Sequence, residues 1–123
     1  MKLRLLASAL FTFAFAGCAM HSTTSSLYEF PYRHATHVTP RLWADVTDLS
    51  THGDSTTYRL VIEAYNGSER TELLRREFQL HKPPLESFQR LSRDTARCVL
   101  RTHDGAIIAS FTVRFHDDRF SIT

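Results

Sequence analysis

Residues 96–115 read ARCVLRTHDGAIIASFTVRF, two runs of alternating side chains around an Asp-Gly pair. A two-residue turn at Asp104 and Gly105 sets Thr102 opposite Ile107, Leu100 opposite Ala109, Cys98 opposite Phe111 and Ala96 opposite Val113. Nearly every pair on that face is apolar. The other face carries Arg97, Val99 and Arg101 against Thr112, Ser110 and Ile108. A slip of one residue would mix the two faces, so the pattern itself specifies the register. Cys98 then points into a core, where a free thiol behaves as a small hydrophobe. A reactive or metal-binding thiol is the alternative.

The same period of two recurs upstream. Residues 57–65, TYRLVIEAY, form the clearest further strand and run into Asn66-Gly67, a tight-turn signal. A two-residue loop there would pair Glu63 with Arg70 and Leu60 with Leu73. Residues 68–80 also carry helical spacing in Glu72/Arg76 and Leu74/Phe78, and the strand reading is preferred because of the turn that precedes them. Val38, Leu42, Ala44 and Val46 fall on one face, with Arg41, Trp43, Asp45 and Thr47 on the other. Residues 48–56 are rich in turn formers. Leu85, Phe88 and Leu91, three apart after Pro83-Pro84, suggest one short helix or turn. In 27–32, LYEFPY, the aromatics Tyr28, Phe30 and Tyr32 alternate, and Pro31 places the segment at a sheet edge. With Trp43 they are candidates for a partner-binding surface, although packing of this strand on the domain is the commoner outcome. Five to seven short strands with little helix imply an all-β, mainly antiparallel fold. The expected architecture is a small β-sandwich or partly open barrel with at most one short helix.

The N-terminus is of another kind. Lys2 and Arg4 precede an uncharged run that ends in Ala16, Gly17 and Cys18, after which the chain turns polar. A basic start, a short apolar core and small residues make a secretory signal. Eleven helical residues reach about 16 Å, half of a ~30 Å hydrocarbon core, so export and cleavage fit better than a permanent span. Phe15-Ala16-Gly17-Cys18 resembles the lipobox of bacterial lipoproteins, with phenylalanine where that family most often has leucine. The resemblance implies removal of residues 1–17 and a diacylglycerol thioether on Cys18. It also implies acylation of the new amine, and residues 18–26 become a lipidated cysteine and flexible tether. Ala19, rather than aspartate, follows the cysteine, which by the same analogy implies the outer membrane, facing the periplasm. Residues 27–123 remain as one domain.

Without the signal, thirteen basic residues face thirteen acidic ones, and Lys82 is the only lysine among them. That balance argues against a nucleic-acid binder. Cys98 has no second cysteine to pair with once Cys18 carries lipid, so the core is held by burial alone. Seven histidines are scattered singly. His34 and His37 are three apart, but zinc needs three or four converging ligands. Asp117-Asp118 offers either a cation site or, more commonly, an acidic turn. No nucleophile elbow or phosphate-cradling loop is present, and neither an enzyme nor a cofactor is expected. The expectation is a lipid-anchored accessory protein that binds a protein partner in the cell envelope, pilotin-like by analogy of size and anchor alone. Alternatives are an immunity or inhibitor lipoprotein against a periplasmic toxin or hydrolase, and a small-ligand or lipid carrier.

Overall fold

The computed structural model describes residues 23–31 and 39–123. Cys18, Tyr32, His34, His37 and Val38 lie outside them. The described chain is all strand and turn: β1 (Thr23–Glu29), β2 (Arg41–His52), β3 (Ser55–Asn66), β4 (Glu69–Leu80), β5 (Leu85–Arg90), β6 (Thr95–Arg101), β7 (Ile107–His116) and β8 (Arg119–Ile122). Two four-stranded antiparallel meanders result, in the orders β1-β2-β3-β4 and β5-β6-β7-β8. They form an open β-sandwich; no ladder joins the sheets into a barrel.

Several expectations need correction. Residues 85–90, read as a short helix or turn, are strand β5. Residues 23–26, assigned to the tether, are the first half of β1, paired with β2 from Thr23↔Thr47 onward. The turn-rich stretch 48–56 is mostly strand, with a loop of only Gly53 and Asp54. The described residues form eight strands rather than five to seven, because β8 follows the acidic pair.

Hairpin geometry accounts for two further differences. Asn66 pairs with Glu69, so the loop is Gly67-Ser68, with Gly67 supplying the positive φ of 71° that its first position demands. Leu60 consequently faces Arg76, not Leu73. Leu73 is the extra residue of a bulge, which lets it and Leu74 both turn partly inward. Glu63 still meets Arg70, diagonally, at 3.2 Å. In the β6–β7 hairpin the loop has three residues, His103 to Gly105. The N–H of Gly105 donates to Thr102 O at 3.0 Å, and that of Thr102 to Ala106 O at 2.7 Å. A bulge at Ile108 then restores the expected register, so that Leu100 faces Ala109, Cys98 faces Phe111 and Ala96 faces Val113.

The facing rows are the core. Leu42, Ala44 and Val46 of β2 and Tyr58, Leu60, Ile62 and Ala64 of β3 lie against Ala96, Cys98 and Leu100 of β6 and Phe111, Val113 and Phe115 of β7, all buried. Each large side chain taken out of water contributes about 1.5–3 kcal/mol. Tyr28 and Phe30 join this interior. Phe30 lies edge-on to Tyr28 at 5.1 Å and within 6.0 and 6.1 Å of Phe115 and Phe120. The packed reading of that aromatic strip is therefore the correct one for these two residues. Burial raises the Tyr28 phenol above its ordinary pKa, with Arg90 pulling the other way, and its buried hydroxyl has no hydrogen-bond partner.

Cys98 sits fully buried at the centre. Burial, helped by the Glu86 carboxylate, pushes its thiol from 9.0 up to about 12. Above pH 9 the unfolded chain releases a proton that the native chain keeps. The stabilisation is therefore complete below pH 9 and drains away as pH rises toward 12, by up to about 1.4 kcal/mol per pH unit. Urea titrations from pH 8 to 11 should show this slope in the wild type and a shallower one in Cys98→Ala. In the same assay at neutral pH, Phe115→Ala should lose about 3–5 kcal/mol. Tyr28→Phe, which removes an unpartnered hydroxyl, should be neutral or gain about 1 kcal/mol.

Candidate functional site

The two open sides of the sandwich differ. Where β1 passes β5, polar side chains clasp the sheets together. Thr24 Oγ1 donates to Glu86 Oε2 at 2.8 Å, and Ser26 Oγ donates to Glu86 Oε1 at 3.1 Å. The inward row of β1, including Tyr28 packed 5.8 Å from Phe88, is thereby used up. The sheet edge near residues 27–32, expected as a docking strand, thus borders a closed side.

The opposite side gapes. β7 has ten residues but β8 only four, pairing from Val113↔Ile122 to His116↔Arg119. Thr112 and Thr123 exchange two 2.9 Å backbone bonds, and there the outer ladder stops. Backbone groups alternate sides along a strand, so Ser110 directs its N–H and C=O the same way as Thr112. Among the described residues no strand meets them. Across the gap runs the inward row of β4: Leu74, Arg76, Phe78 and Leu80, set by their pairing with Ile62, Leu60, Tyr58 and Thr56. Leu74, Phe78, Leu80 and Ile108 are only partly buried there. The Arg76 guanidinium lies over the Phe111 ring, 5.6 Å from its centroid. An apolar trough with a bare backbone edge is thus open to solvent. Its lower mouth widens into a cleft of about 410 Å³ bounded by Leu80, His81, Lys82, Thr102 and His103.

Of the surface candidates named from sequence, Tyr32 lies outside the described residues, and among Tyr28, Phe30 and Trp43 only Trp43 faces outward, half-buried on the outer side of the first sheet. Its indole N–H donates to Asp45 Oδ1 at 2.7 Å, and it pairs with the exposed Leu27. Phe30 and Tyr28 are interior. The trough itself was missed, because the partly buried row of Leu74, Phe78 and Leu80 was read only as one face of a strand or helix.

The titratable groups do not converge. Among the described residues no three of His, Cys, Asp and Glu are placed to hold a metal ion. His81 Nδ1 lies 3.0 Å from the Asp54 carbonyl oxygen, and His116 Nε2 lies 3.3 Å from an Asp117 carboxylate oxygen. Asp104 is held below the usual carboxylate range by the Thr102 hydroxyl and by backbone N–H groups. Asp117 and Asp118 have φ of 53° and 60°, the two loop positions of a tight hairpin between His116 and Arg119. They are a turn. Comparison of the chain with protein families, with curated proteins and with solved structures returned no match.

Left-handed φ disfavours a Cβ, so Asp118→Gly should raise stability by about 1 kcal/mol in urea denaturation. Added calcium should leave the midpoint of either protein unchanged.

Proposed function

We propose that this chain is an outer-membrane lipoprotein, anchored through Cys18 and facing the periplasm, that holds a protein partner of the cell envelope without catalysing a reaction. The single observation that favours partner binding is the bare edge of β7 beside the apolar row of β4. Unpaired strand edges invite further pairing, and soluble proteins normally blunt or cover them. An extended segment of the partner, laid antiparallel to β7 in the line that β8 occupies higher up, satisfies Ser110 and inserts alternate apolar side chains over Leu74, Phe78 and Leu80. Tethering to one leaflet raises the local concentration of the domain for such a partner. The anchor rests on the lipobox-like FAGC and the apolar run before it.

Crosslinking in cells followed by affinity capture of the full chain tests the reading. Envelope-complex subunits should be recovered with the wild type and lost with Ser110→Pro. That change deletes the outward N–H and leaves the β6 ladder intact, because proline is tolerated on an open edge. Recovery of no protein partner defeats the proposal. Recovery of one soluble hydrolase, or of lipid alone, would replace it with the inhibitor or the carrier alternative. The anchor is tested separately: radioactive palmitate should mark the wild type and leave Cys18→Ser unmarked.

A further inference from the structure

We infer that the lower end of the sandwich, where the exposed Leu85 and Ile107 flank Arg101, is held directly against a phospholipid surface; the inference rests on the Cys18 anchor proposed above. Three connections define this end: Gly53-Asp54 between β2 and β3, residues 81–84 between β4 and β5, and residues 102–106 between β6 and β7. β1 starts here, since Thr23 pairs with Thr47 and the chain runs away from this end to Glu29.

Chain length sets the first constraint. Five residues from Cys18 to Thr23 span at most about 17 Å when fully extended. Beyond Thr47, the partner of Thr23, β2 continues five residues to His52 before its turn. At about 3.3 Å per residue that projection is also about 17 Å. The tether is thus no longer than the hairpin standing beside it. With its lipid in the bilayer, the domain has no slack to stand clear of the headgroups, and the lower end is the end that meets them.

The surface there suits that contact. Leu85, Arg101 and Ile107 are direct neighbours in one row on the outer face of the second sheet. Leu85 is 52% exposed and Ile107 58%, the two most exposed large apolar residues among those described. Arg97 shares this face but lies four residues from Arg101, toward the upper end of β6. Glu86, the nearest carboxylate on β5, is turned inward onto Thr24 and Ser26. In the loops at this end Lys82 stands against two carboxylates, Asp54 and Asp104. The lowest row of this outer face therefore presents two apolar side chains with the Arg101 guanidinium between them and no carboxylate. Exposed apolar side chains beside a guanidinium suit insertion at the boundary between headgroups and acyl chains.

The test uses the full chain, lipidated in cells, purified and placed in vesicles of phosphatidylethanolamine and phosphatidylglycerol. Leu85→Cys, Ile107→Cys and, at the upper end, the 44% exposed Leu91→Cys are each labelled with an environment-sensitive fluorophore. Cys98 stays buried and protonated during labelling, and Cys18 is blocked by its lipid. Nitroxide-bearing lipids should quench the labels at 85 and 107 at least about threefold more than the label at 91. Circular dichroism identical to wild type verifies the fold of each variant. Equal quenching at the three positions, or strongest quenching at 91, overturns the placement. Palmitate incorporation read on the same preparations separates the two failures. A chain without lipid removes the anchor and this inference together, whereas a lipidated chain with the wrong order of quenching removes the placement alone.

Discussion

Face parity across each hairpin is the constraint on which this domain depends. With Cys98 the only free cysteine described and no polar side chain in the buried set, the fold is held by two apolar surfaces meeting. Every inward residue must therefore stay inward along strands of up to twelve residues. The β6–β7 hairpin shows how closely this is controlled. Its three-residue loop brings one residue too many for the pattern, and the bulge at Ile108 removes the error before Leu100 is reached. Gly105, with a φ of 100°, is the residue that lets the loop close.

This also explains what was legible in the sequence. The all-β class, the inward residues of β2, β3, β6 and β7, and the pairing of Cys98 with Phe111 follow from alternation. The site of the turn does not, because a loop of two and a loop of three plus a bulge give the same partners further along. Residues 68–80 alternate poorly because β4 is a half-solvated edge interrupted at Leu73, and its spacing therefore also fits a helix. The interval of three between Leu85 and Phe88 suggested a turn. It arises because Leu85 lies on the outer face and Phe88 on the inner face of one strand. Thr23–Ser26 was read as tether because small hydroxyl residues dominate it. Its strand character comes from β2 and from Glu86, two partners that local composition cannot reveal.

The candidate site was less visible. Tyr28, Phe30 and Trp43 attract notice as aromatic residues, yet two of them fill the interior and the third is partly occupied by Asp45. What distinguishes the β4–β7 side is not a residue type but an unpaired half of β7 beside an apolar row that no clasp covers, whereas the edges of β1 and β5 border the Glu86 clasp. Such a feature exists only at the level of strand lengths. The Glu86 clasp makes the asymmetry meaningful: one flank of the sandwich is locked by a carboxylate shared between two hydroxyls, while the other keeps its hydrocarbon and its amide edge open to solvent.

The meander order of both sheets bears on how the chain folds. Every ladder joins consecutive strands, so each sheet is assembled from hairpins, whereas the packing of one sheet on the other joins residues far apart in sequence. The first four strands and the last four are each complete as a plate, yet neither plate covers its own oily side. The final step must be their face-to-face docking across one short hinge, residues 81–84, stiffened by Pro83 and Pro84. That hinge is also where two copies folding side by side are able to exchange halves. Its two prolines, by fixing the angle at which the second plate returns, favour closure within a single chain.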